Sequence, residues 1–243
     1  MDSLRQLDDW LLLAINSLAR HTTWLHAPLL AYATYGMVLF ALLLLAGVLI
    51  SRRGPSRNLA AAGWACLATL LALGLNQPLG HLFHEARPYV THPHILRLAD
   101  VTTDFSFPSD HAVMGGAVAA GLLLVNRRLG LLGCLAAAVM AFTRVYIGAH
   151  FPWDVLGGLA FGAAVALGGW FLLRRPLTGL TTWLRRQPGL RMFFTERDGP
   201  DPASAELGNE MSRHGQVIRG SGQAGERRGQ PAAGAILARS ARR

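Results

Sequence analysis

Three short groups of residues carry the side chains from which a reaction could be assembled. They are His84-Glu85-Ala86-Arg87-Pro88, then Pro108-Ser109-Asp110-His111, then Arg144 followed by His150 and Asp154. Arg87 and Arg144 are permanently charged planar forks, suited to holding two phosphate oxygens at once. Pro108-Ser109-Asp110-His111 reads as a helix start, where Ser109 or Asp110 can cap and the free backbone N–H groups form an anion site. His150 and Asp154 stand one helical turn apart, so the carboxylate can hold one imidazole nitrogen and leave the other free to attack. His111 is then available as general acid for the leaving oxygen. Together the set suits in-line attack on a bound phosphate.

Each group has a plainer reading by itself: a snorkelling arginine at Arg87, a satisfied polar contact or proton relay at His150 and Asp154, an ordinary helix cap at Ser109. Three such groups in one order carry the stronger reading. The histidines show no His-x-x-x-His spacing and no clustered carboxylates, so neither a metal nor another cofactor is expected. His92 and His94 read as solvated loop residues and His81 as an interface residue.

These groups must be positioned by membrane helices. Of the 243 residues 51% are apolar and 15% charged, against roughly 25% charged in an ordinary soluble domain. Several apolar runs reach the roughly 20 residues needed to cross a ~30 Å hydrocarbon layer, which excludes a wholly disordered chain. Leu4 to Arg20 reads as an interfacial helix, with Leu4, Leu7, Leu11, Leu12, Ile15 and Leu18 forming an apolar stripe opposite Asp8, Asp9 and Asn16. Spans follow over Pro28 to Ile50, Asn58 to Leu79, His111 to Val125, Leu129 to Tyr146 and Asp154 to Leu173, and 80–108 is a functional loop. The expected fold class is an all-α integral membrane helical bundle of about five transmembrane helices plus the interfacial helix. Its parts are 1–26, the interfacial helix; 27–175, the membrane-embedded core; and 176–243, a basic, disordered cytoplasmic tail. No removable signal peptide is read at the start, and both cysteines, Cys66 and Cys134, sit in apolar segments.

All 23 basic residues are arginine, and the net charge is +9. The arginines of 51–58, 126–128 and 174–175 fall on one side of a five-span bundle, which the positive-inside bias makes cytoplasmic. The three reactive groups then lie at span ends on the extracytoplasmic side. The basic tail fits an anionic lipid surface better than nucleic acid, so the expected partners are a membrane and a lipid-borne phosphate.

The same residues resemble the type 2 phosphatidic acid phosphatase family, whose pattern is Lys, six residues, Arg-Pro; then Pro-Ser-Gly-His; then Ser-Arg, five residues, His, three residues, Asp. Arg87-Pro88, Pro108-Ser109 with His111, and Arg144 with His150 and Asp154 match it at the family spacing over roughly 76–154. The resemblance implies His150 as nucleophile forming a phosphohistidine, Asp154 as its orienting partner and His111 as the acid. It implies Arg87, Arg144 and Ser109 as the groups that hold the phosphoryl oxygens, with no metal. Gly80 stands where the pattern has Lys, Asp110 where it has Gly, and Thr143 where it has Ser. Asn76-Gln77, His84 and Pro-Ser-Asp-His look like the bacitracin-resistance branch, the undecaprenyl-diphosphatases, with His84 a partial substitute for the Lys and Asp110 a cap or a partner of His111. The implied activity is metal-independent hydrolysis of undecaprenyl diphosphate to the monophosphate and phosphate, in a bacterial inner membrane. Phosphatidylglycerol phosphate or diacylglycerol diphosphate is the alternative substrate. Anion or lipid transport is the alternative class, although the internal repeat it calls for is not seen.

Overall fold

In hydrocarbon each backbone N–H and C=O must be satisfied within its own segment, so apolar runs of this length fold as helices. The computed structural model describes residues 2–187 and is all-helical, with no strand among the described residues. The helices are α1 (Asp2–His21), α2 (His26–Ser51), α3 (Ser56–Phe83), α4 (Pro88–Thr91), α5 (Asp110–Val125), α6 (Arg127–Tyr146) and α7 (Pro152–Arg186), with a 3-10 turn at Thr23–Leu25. They belong to one compact unit, Met1–Glu196; the second unit, Arg197–Arg243, lies outside the described residues.

Four stretches, Thr23–Ser51, Ser56–Thr91, Arg127–Tyr146 and Pro152–Arg186, are long and apolar enough to cross a membrane. The expected third span, α5, is shorter: 16 residues, or about 24 Å at 1.5 Å per residue. It is also the most enclosed, packed by α2, α3, α6 and α7, so its length is not set by contact with lipid. Small residues permit this. A Cβ at Gly158 of α7 would stand 2.9 Å from both the Ala112 Cβ and the Ser109 carbonyl oxygen of the α5 end, so the two helices meet almost backbone to backbone.

Two expectations are revised. The stretch expected to open the tail at 176 continues α7 through Pro176 to Arg186, and the rest of 176–243, from 188, lies outside the described residues. The extension is anchored: Thr181 Oγ1 donates to Ser56 O at 3.1 Å, and Arg185 Nη2 lies 3.4 Å from both Ser51 O and Arg52 O. Helix α1 forms as expected, with Leu12 of its apolar stripe buried and Leu11 and Ile15 half-buried, and the polar Asn16 is buried with them. Leu4, Leu7 and Leu18 are exposed, while Asn16 is buried beside Leu12 and Ala19. The reason is hydrogen bonding: Asn16 Nδ2 donates to Leu96 O at 2.8 Å and its Oδ1 accepts from Leu96 N at 3.0 Å. Asp8 Oδ1 accepts from Trp153 N at 3.0 Å in the first turn of α7, and Asp9 lies 3.5 Å from His92 Nε2. Arg20 donates to His94 O. His92 and the His94 backbone are therefore held by α1, not simply solvated.

Burial raises the Asp8 carboxyl from 3.8 to about 6, partly offset by the Trp153 N–H and reinforced by Asp154, Asp9 and Glu85. The folded chain thus binds this proton more tightly than the unfolded chain, and stability falls as pH rises from about 4 through 6. Asp8→Asn keeps the acceptor and cannot titrate. Its melting temperature in detergent should gain on the wild type across that interval, and a constant difference from pH 4 to 7 would refute the assignment.

Candidate active site

The chain order brings the C-terminal ends of α3 and α6 and the N-terminal ends of α5 and α7 to one end of the bundle. The connecting loops are tied down there. His84, in the left-handed region at φ 52°, ends α3, and Arg87 opens α4 with Pro88 in its first turn. Ser106 N donates to Glu85 O at 2.8 Å, while Leu98 N and Ala99 N reach Ile147 O at 3.0 and 3.3 Å.

His150 is buried in the turn between α6 and α7. Its Nδ1 lies 2.8 Å from Ser106 O, an acceptor only, so the proton sits on Nδ1 and Nε2 carries the lone pair. Arg87 Nη1 stands 3.3 Å from Nε2 and donates to Ala149 O at 3.2 Å, and Arg87 Nε donates to Asp104 O at 3.0 Å. Burial, reinforced by the charges of Arg144 and Arg87, holds His150 well below its ordinary 6.5, so the ring is neutral.

Asp154 Oδ2 accepts from Phe151 N at 2.8 Å and from Ser106 Oγ, and lies 3.5 Å from His150 Nδ1. The carboxylate therefore fixes the turn and Ser106, and the Ser106 carbonyl is the nearer acceptor for the imidazole. Sequence reasoning did not single out Ser106. A serine between two phenylalanines carries no motif signal, and half of its contribution comes from a backbone carbonyl.

Ser109 occupies the cap position of α5, yet its hydroxyl makes no cap bond. Its Oγ is buried without a hydrogen-bond partner among the described residues, as are Arg144 Nε and Thr143 Oγ1. His111 faces the backbone of Ala33, close enough to Arg144 and Arg87 to feel their charges. A neutral imidazole, two guanidinium groups and an unpaired hydroxyl thus share one end of the bundle. That donor set fits an anion.

Asp110 neither caps α5 nor turns to His111. Its Oδ1 accepts from Asn76 Nδ2 at 2.6 Å and Gln77 Nε2 at 3.4 Å on α3, and Asn76 Nδ2 also donates to Pro108 O at 3.0 Å. Its charge is thereby drawn toward α3. Gly80 lies inside α3, beside a cavity of about 260 Å³ that it shares with Asn76, Gln77, Asp104 and Asp110. His84 is exposed and packs edge-on against Phe105, ring centroids 4.7 Å apart, and is not among the charges that act on His150.

Ser106→Ala removes the hydroxyl that donates to Asp154 while keeping the carbonyl that holds His150. Losing a hydrogen bond to a charged group should lower turnover about 10- to 100-fold. Initial rates of phosphate release check this, and an unchanged rate would remove Ser106 from the positioning of the pair.

Residues 61–176, which include all three reactive groups, match the PAP2 superfamily. The undecaprenyl-diphosphatase BcrC of Bacillus subtilis is 31% identical over 171 residues, covering 69% of this chain and 86% of that protein. The fold is similar to that of Aquifex aeolicus LpxE, with a TM-score of 0.53 and 24% identity over 65% of this chain and 94% of that one. It is also similar to a transmembrane PAP2-type phosphatidylglycerolphosphate phosphatase of Bacillus subtilis, with a TM-score of 0.51 and 21% identity over 76% and 90% of the two chains. With residues 61–176 matched by the family and a relative matched over most of its length, this multi-pass membrane chain belongs to the PAP2 superfamily of phosphatases.

Proposed function

We propose that the chain hydrolyses undecaprenyl diphosphate to undecaprenyl phosphate and inorganic phosphate through a phosphohistidine at His150. The observation that carries this reading is the neutral His150 ring, held through Nδ1 by Ser106 O, with its Nε2 lone pair 3.3 Å from Arg87 Nη1. In the proposed reaction Nε2 attacks the terminal phosphorus and the bond to the bridging oxygen breaks. His111 gives its proton to the departing monophosphate oxygen. Water then attacks the phosphohistidine, losing a proton to His111, and the N–P bond breaks to release phosphate. Arg87, Arg144 and Ser109 Oγ hold the equatorial oxygens, where charge develops in the transition state. Asp154 positions the His150 turn and Ser106.

The substrate class draws on the relatives and on depth in the membrane. A polyprenyl headgroup sits at the interface, where the ends of apolar helices also lie, while its tail remains in the hydrocarbon. The membrane is proposed to be a bacterial inner membrane with the reactive end extracytoplasmic, because Arg52, Arg53, Arg57, Arg127, Arg128, Arg174 and Arg175 lie at the other end. No step in this reaction calls on a metal.

The test is phosphate release by the full chain in detergent, with chelator, from undecaprenyl or farnesyl diphosphate and from phosphatidylglycerol phosphate. Release should favour the prenyl diphosphates, and His150→Ala should lower it at least about 1,000-fold while the protein still inserts. An acid-labile, base-stable phosphoryl adduct should form on the wild type and not on the variant. Preference for phosphatidylglycerol phosphate would overturn the substrate, and turnover by His150→Ala would overturn the nucleophile.

A further inference from the structure

The end of the bundle farthest from His150 carries a cluster of arginines. Helix α7 has 35 residues, about 52 Å at 1.5 Å per residue, against a hydrocarbon layer of about 30 Å. Phe171 and Leu172 are 70% and 76% exposed, as an apolar surface facing lipid would be, and Arg174 and Arg175 follow within one turn. Beyond that step α7 and the start of α3 enclose a groove of about 550 Å³. Arg57, Arg174, Arg175 and Arg186 line it together with Trp170 and Trp183, with no acidic residue in the lining among the described residues.

The groove is held in shape. Trp170, Arg174, Thr178, Thr182 and Arg186 follow one another at four-residue steps along α7, and all line the groove. The Arg57 guanidinium lies 5.8 Å from the Trp170 ring centroid, which carries a charge from α3 across to α7. Thr181 and Arg185 fasten the same stretch of α7 to the 51–56 turn. Four like charges along one groove repel one another, so an anion bound among them relieves that cost.

We propose that this groove binds the phosphate headgroup of an anionic phospholipid in the leaflet opposite the catalytic end. A lipid fits better than free phosphate because the arginines begin where the exposed Phe171 and Leu172 end, and the exposed Trp183 adds an aromatic surface to the groove beside them. The site is independent of the reaction proposed above.

The test uses the full chain in neutral detergent and counts bound lipid by native mass spectrometry after adding phosphatidylglycerol or phosphatidylcholine. Wild-type protein should retain phosphatidylglycerol in several-fold excess over phosphatidylcholine, and His150→Ala should retain as much as wild type. R174Q/R175Q should lose about fivefold in phosphatidylglycerol occupancy for each charge removed. R57Q, which alters only the α3 side, gives an independent reading if the double variant does not fold. Equal retention of the two lipids would overturn the proposal, as would undiminished phosphatidylglycerol in both variants. So would displacement of the lipid by millimolar inorganic phosphate.

Discussion

The backbone contact between α5 and α7 is the constraint on which the catalytic end depends. Gly158 brings the first turns of α7 against the Ser109 carbonyl and Ala112, and Ser109 N in turn donates to Asp154 O at 3.2 Å. The start of one helix is thereby bonded to the start of the other. Ser109, His111, His150 and Asp154 all lie within a few residues of that junction, so their separations are set by backbone geometry before any side chain is placed. In a membrane, where apolar surface gains nothing by leaving lipid for protein, such close approach of small residues is a main source of packing.

Ser106 turns that rigid junction into an oriented imidazole. Its hydroxyl bonds Asp154 and its carbonyl bonds His150, so one residue of a long loop connects the carboxylate to the ring. Placing Asp154 only 3.5 Å from Nδ1, while it accepts from Phe151 N and Ser106 Oγ, keeps the carboxylate near the ring without surrendering its own hydrogen bonds to it. Helix α1 reinforces the assembly from outside, since Asp8 holds the first turn of α7 and Asn16 holds Leu96. A helix that looks peripheral in sequence is thus a strap across the loops that carry the site.

How far the sequence could be read follows from the range of each interaction. The three groups were legible because each lies at the end of an apolar run, and runs of alternating direction must return their ends to the same side. Arg87 and His150 indeed meet. Interactions that cross between elements were not legible. Asp110 looked like a local cap, but its partner Asn76 is 34 positions away on another helix. The 3.6-residue period of α1 was legible and the burial of Asn16 was not, because the backbone partners it finds at Leu96 lie 80 positions away. The end of α7 was misplaced because hydropathy ends near Leu173, whereas the helix is continued by bonds from Thr181 and Arg185 to the 51–56 turn.

The two ends of the bundle treat arginine differently, and the difference separates their roles. Arg87 is partly buried, tied to the Asp104 and Ala149 carbonyls, and pointed at a neutral imidazole, so its charge is fixed before an anion arrives. Arg57 and Arg174 at the far end are exposed and lean on aromatic rings, which leaves their charge hydrated and adaptable. A preorganised charge distinguishes a transition state from its ground state, because no reorganisation is needed when new charge develops. A hydrated, aromatic-supported charge binds a headgroup without discriminating a reaction coordinate. In the two proposed sites the same residue type would serve chemistry at one end and attachment to lipid at the other, with the apolar helices between them keeping the two apart.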